Sequence, residues 1–133
     1  MSSWIVALKL LLVGALGYLV IALGQVLVLE VLLGGDVHVD SSPSVLLTAT
    51  LGSIMSGLVG GSCAAWWGGK LPMRHVAAVI AFLAVDTVSI IAGREAGADP
   101  VWFDLGGSLT LILATVAGGW LQVRLRRSEV AAA

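Results

Sequence analysis

The stretch from Leu10 to Leu29, LLLVGALGYLVIALGQVLVL, decides the class of this protein. Its twenty residues hold no charge and a single strongly polar side chain, Gln25. A helix needs about 20 apolar residues to cross a hydrocarbon core of about 30 Å. The stretch therefore predicts a membrane span, reaching from about Trp4 to Leu33 with its apolar flanks. Its length exceeds a secretory h-region, and no small-x-small cleavage site leads into a soluble domain, so it reads as a permanent helix.

Working outward, three further runs pass the same test. Between Asp40 and Lys70 there is no charge at all, which predicts a span over 44–67. A third runs over 72–93, interrupted once by Asp86, and a fourth over 101–123 with Asp104 at its start. Turn chemistry separates them: Gly34-Gly35-Asp36 and Ser41-Ser42-Pro43, then Gly68-Gly69, then Gly97 and Asp99-Pro100. Ser42 is a candidate N-cap for the second helix, and Pro43 and Pro72 suit first helical positions. The chain of 133 residues has room for one domain, with 124–133 as a short basic tail. The expected fold is all-α: a four-helix transmembrane bundle running up-down-up-down, since short loops make successive helices antiparallel neighbours.

Composition agrees. Charged residues are 11% and hydrophobic ones 59%, against roughly a quarter charged in a soluble domain. Lipid, not water, is the expected surrounding, and a net charge of −1 offers nothing to nucleic acid. Lys9, Lys70, Arg74, Arg124, Arg126 and Arg127 fall on one side of the four spans and only Arg94 on the other. The positive-inside rule then places both termini in the cytoplasm. Trp66, Trp67 and Trp120 fall at that boundary with Trp4, where amphipathic rings anchor a helix, and the Arg124, Arg126, Arg127 cluster suits anionic headgroups.

The second span carries the clearest pattern. Ala49, Ser53, Gly57, Gly61, Ala65 and Gly69 are small residues spaced by four, and Thr48, Gly52, Ser56, Gly60, Ala64 and Gly68 form an adjacent small row. Together they read as one flat face. Helices associate in lipid through close packing and polar contacts, which small residues permit. Gly106, Thr110, Ala114 and Gly118 repeat the pattern in the fourth span. Contact between spans two and four is expected, within the chain, between copies, or against a larger membrane complex.

An ionisable group at membrane depth is costly and points to function. Asp86 is that group, read either as a proton carrier or as a hydrogen-bonding clip between helices. Gln25 reads as an interhelical hydrogen-bonding residue, and Glu30, nearer the outer surface, as one reaching water. The two point about 140° apart on an ideal helix. Asp104 suits the positive end of a helix dipole. His75 reads as a solvated loop residue, and His38 lies across the membrane from it, so the pair makes no metal site. Cys63 reads as a small packing residue. No phosphate loop, H-E-x-x-H, C-x-x-C or G-x-S-x-G is present. No enzyme activity and no cofactor is expected.

The run Gly60-Gly61 to Trp66, then Gly69-Lys70-Leu71-Pro72-Met73-Arg74-His75, with Gly118-Gly119-Trp120 before a basic tail, resembles a group of small bacterial four-helix membrane proteins. Those proteins pair a glycine-rich second helix with a short basic loop. The resemblance implies a multi-pass protein of the bacterial inner membrane and carries over no functional residue. Small multidrug transporters also place a glutamate in their first helix, but Glu30 lies at the outer end of its span. The function expected is that of a non-catalytic, structural or accessory membrane protein associating through small-residue faces. The alternative is a small proton-coupled transporter or channel that uses Asp86.

Overall fold

A computed structural model describes residues 3–132, and every regular element among them is helical. Helix α1 spans Ser3–Val26 and continues as a π-helical stretch, Leu27–Leu32. Helix α2 spans Pro43–Gly68, α3 spans Pro72–Ala92 and α4 spans Val101–Ala132. All four are long and apolar enough to cross a membrane, and the chain is a multi-pass membrane protein.

The boundaries follow local chemistry. Ser42 caps α2, its hydroxyl accepting from the Val45 N–H at 3.4 Å, and Pro43 occupies the first turn. Gly69 ends α2 at φ +65°, a left-handed value that disfavours a side chain. At the end of α1, Leu33 N–H bonds Val28 O at 3.0 Å, five residues back, which is the π pattern. Helix α4 runs past the expected end of its span. Its 32 residues extend about 48 Å, well beyond a hydrocarbon core of about 30 Å. The basic cluster is thus carried on helix rather than on a loose tail.

Contacts set the topology. Gly17 meets Ala64 and Gly60, Gly24 meets Ser56, and Gly52 meets Val28, so α1 and α2 are antiparallel. Gly57 meets Ala114, Gly61 meets Thr115 and Gly118 meets Leu58, so α2 and α4 run parallel and in close contact. Helix α3 packs on all three others, whereas among the described residues α1 and α4 do not pack on each other.

The two small rows of α2 do not form one face. Gly57 and Gly61 lie against α4, while Gly52, Ser56, Gly60 and Ala64 lie against α1. The rows are offset by one residue, about 100° around the helix, so at mid-helix they face different neighbours, while Ser53 of the first row reaches Gln25 of α1 and Gly68 of the second lies against His75 of α3. Both are consumed inside the chain.

Burial is one-sided. Buried residues occupy 13–21 of α1, 56–68 of α2, 75–83 of α3 and 114–119 of α4. Among the described residues none lies in 22–55, 84–113 or beyond 119. The bundle is sealed from its middle toward the α2–α3 connection and opens toward the other end. Small residues explain the sealed half: Gly57, Gly60, Gly61, Ala64, Ala65 and Gly118 let backbones touch. In the open half only the α1–α2 seam keeps such contacts, Gly24 on Ser56 and Gly52 on Val28, while Gly106 and Gly107 of α4 meet nothing.

Gly106 and His75 depart from their expected places as well. Gly106 continues the small-residue spacing of α4 but packs on nothing, since a Cβ built there would meet no atom within 4 Å. The helices have already diverged at its level. His75 is not a solvated loop residue. It is 7% exposed, its Nδ1 lies 3.0 Å from Leu71 O, and it fills the space beneath Gly68. The absence of a side chain on Gly68 makes that room.

Candidate functional site

Where the helices splay, they enclose a half-open cavity of about 430 Å³. Gln25 and Leu29 line it from α1 and its π extension. Leu46, Ala49, Thr50 and Ser53 come from α2, Thr87 and Ile90 from α3. The first turns of α4 contribute Trp102, Phe103, Asp104, Gly106, Gly107, Ser108 and Thr110, and Val37 reaches in from the first loop. Pockets of this size hold small organic ligands, typically between apolar walls with a few placed polar groups.

The polar groups are joined across helices. Ser53 donates to Gln25 Oε1 at 3.3 Å, linking α2 to α1. Gln25 Nε2 is buried without a partner among the described residues. The Thr87 and Ser108 hydroxyls bond at 2.8 Å, linking α3 to α4. Thr50 donates back to Leu46 O at 2.8 Å and Thr110 to Gly106 O at 2.9 Å. Such bonds to the carbonyl four residues back let hydroxyls sit inside a membrane helix at low cost.

Charges gather at the mouth. Arg94, just past α3, pairs with Asp104 Oδ2 in the first turn of α4. Asp104 also lines the cavity, whereas Arg94 does not. Beside it, Asp99 ties the two loops of this end together. Its Oδ2 lies 3.1 Å from His38 Nδ1 and its Oδ1 accepts from Val39 N–H at 3.2 Å.

The other polar residues singled out from sequence lie elsewhere. Asp86 is half-buried near Tyr18 on the α1–α3 seam, outside the cavity lining, and no hydrogen bond joins the two among the described residues. Tyr18 also packs on Phe82, ring centroids 6.0 Å apart. Arg94 is taken by Asp104, not by Asp86. Glu30 sits exposed in the π-helical stretch. Among the described residues no group of three His, Cys, Asp or Glu side chains is placed to hold a metal ion.

At the opposite end, Arg124 lies over the Trp120 ring, 4.2 Å from its centroid. Arg126 donates to Trp66 O at 2.6 Å. That carbonyl belongs to the last turn of α2, where helix carbonyls lack partners and cations suit the dipole. Arg127, Trp66, Trp67 and Trp120 are exposed, as is fitting for side chains at a membrane boundary. Ser62 on the α2–α4 seam donates to Gly118 O at 3.0 Å.

Thr50, Thr87, Ser108 and Phe103 were not among the residues the sequence singled out, and Trp102 stood out only as an aromatic anchor for the outer boundary. The usable signal was the recurrence of hydroxyls in the same third of three different spans. No protein-family model, curated protein or solved structure matches the chain.

Proposed function

We propose that this chain is a small non-catalytic integral membrane protein whose sealed half-bundle holds a cup open at the outer face of a bacterial plasma membrane. The carrying observation is the cavity of about 430 Å³ above a core closed by glycine contacts. An even number of spans puts both termini on one side, and the basic residues gathered there favour the cytoplasm. The acid-rich end, and the cup with it, then faces outward. The likeness to small bacterial four-helix membrane proteins supports the host.

The bilayer is the first partner. The small-residue faces are spent within the chain, so a homo-oligomer or a larger membrane complex would engage the exterior of the bundle. Asp86 acts as a clip between α1 and α3, which its Tyr18 neighbour and its place outside the cup both favour over proton transport.

Cysteine accessibility tests the reading. In a Cys63→Ser background, Gly106→Cys points a thiol into open space in the cup, and Leu109→Cys points one at lipid. A membrane-impermeant maleimide added to intact cells is expected to label the first and not the second. Labelling of Gly106→Cys only after the cells are opened would refute an outward cup, and equal labelling of both would refute the cup itself.

A further inference from the structure

The geometry points to a small amphipathic amine, protonated and carrying an aromatic or alkyl body, as the ligand of the cup. This rests on the outward-cup reading and names what the cup takes.

Hydrogen-bond accounting is the first support. Five hydroxyls belong to the lining: Thr50, Ser53, Thr87, Ser108 and Thr110. Each hydroxyl has one hydrogen to give. Thr50 gives its own to Leu46 O, Thr110 to Gly106 O and Ser53 to Gln25 Oε1. Thr87 gives its own to Leu83 O at 2.7 Å. The 2.8 Å bond between Thr87 and Ser108 also runs from Thr87, to Ser108 Oγ, so Thr87 shares its one hydrogen between two acceptors. Four of the five hydrogens are committed, Ser108 alone keeping its own, and what the hydroxyls mostly present to a guest is lone pairs. The Gln25 Nε2 donor is buried and has no surface in the cup. A guest therefore meets more acceptors than donors, which suits one that brings donors, as an ammonium does with up to three.

Charge is the second support. Arg94 holds Asp104 through Oδ2, and among the described residues no hydrogen bond goes to Oδ1. The carboxylate lines the cup and the guanidinium does not. Around the mouth the loops and helix ends carry Glu30, Asp36, Asp40, Glu95, Asp99 and Asp104 against Arg94 alone, so six acids and one base leave five negative charges with His38 neutral. A cleft under a field of one sign concentrates the opposite ion. Trp102 and Phe103 at the rim supply aromatic faces, which also attract cations. The remaining wall, Leu29, Leu46 and Ile90 among it, is apolar and suits a greasy body.

The test uses the full chain in phosphatidylcholine nanodiscs, with empty nanodiscs subtracted. The probe is dansylcadaverine, a primary amine on an environment-sensitive ring. Its carboxylate counterpart, dansyl-6-aminohexanoate, shares the ring and chain with the opposite charge. The expected result is saturable blue-shifted emission from the amine, with the carboxylate at least about tenfold weaker. Asp104→Asn is expected to weaken the amine about tenfold as well. Because that variant also frees Arg94, Gly106→Phe serves as a second: it fills the cup from a position with no neighbour within 4 Å and leaves the packed core untouched. Saturable binding should vanish in Gly106→Phe at an unchanged melting temperature. Equal binding of amine and carboxylate, no saturable amine binding, or amine binding that survives Gly106→Phe would each overturn the assignment. Outward labelling of Gly106→Cys would in those cases leave the cup standing, whereas its failure removes the cup independently.

Discussion

Gly61 on α2 lies directly against the backbone carbonyl of Thr115 on α4, with no room for a side chain between them. One residue earlier, Gly60 lies against Ile21 and the Gly17 carbonyl of α1. Adjacent glycines thus close two different seams, and the sealed half of the bundle depends on both. In lipid there is no hydrophobic drive to bring helices together, so the depth of backbone approach decides whether they stay together.

Gly61→Val is therefore expected to force α2 and α4 apart and cost about 1–3 kcal/mol. Gly106→Val, at the same spacing on the partner helix but facing open space, is expected to cost little. Thermal unfolding in mild detergent compares the two. Equal melting temperatures would show that the α2–α4 seam does not hold the bundle.

The Asp86 carboxyl and the Tyr18 hydroxyl are proposed to clip α3 to α1. A double-mutant cycle with Asp86→Asn and Tyr18→Phe reads their coupling directly. Polar pairs inside membrane bundles average about 0.6 kcal/mol in such cycles, and a value of that order is expected here. Strict additivity would break the clip. Unchanged stability in Asp86→Asn accompanied by lost proton flux in vesicles would favour the transport reading instead.

The number of helices and their limits were legible because each span is a long apolar run closed by Gly, Pro or Ser turn chemistry. The α2–α4 contact was legible from the spacing of Gly57, Gly61, Ala114 and Gly118. Spacing shows which face a residue occupies, not how close a neighbour comes. That is why two rows one residue apart read as a single face, and why Gly106 read as a packing residue. The cup was hidden for a related reason. Thr50, Thr87 and Ser108 are ordinary in membrane helices, and only the splay of four helices brings them together. Asp86 drew attention as the one acid deep in a span, yet depth along a helix does not say whether a side chain faces a cavity or a seam.

Arg126 covers a carbonyl that α2 cannot satisfy itself, so Arg126→Ala is expected to lower stability by about 1 kcal/mol. Arg126→Lys keeps the charge and should recover part of the loss. Arg127 is exposed and without such a contact among the described residues, and Arg127→Ala should change stability by less than about 0.5 kcal/mol. Melting temperatures in the same detergent check the order. If Arg127→Ala costs as much as Arg126→Ala, the basic cluster acts by charge alone and the contact to Trp66 O contributes nothing separate.

Asp99 joins the two loops at the mouth of the cup, one oxygen toward His38 and the other toward the Val39 N–H. The loop it holds, between Leu33 and Pro43, contains Gly34 and Gly35 at positive φ and no regular structure. Little else restrains it, so losing both bonds at once should release it. Asp99→Ala is expected to raise the rate of protease cleavage within 34–42 several-fold, with little change in melting temperature, since the packed core lies at the far end. Asp99→Asn keeps an acceptor for Val39 and a partner for His38, and should fall between the two. Val37 of this same loop lines the cup, so the freed loop should also admit and release a guest faster. Unchanged cleavage in Asp99→Ala would mean that the loop is held by its own turn, the Ser41 hydroxyl accepting from His38 N–H at 2.9 Å, and that the bridge to the α3–α4 connection is incidental to the shape of the mouth.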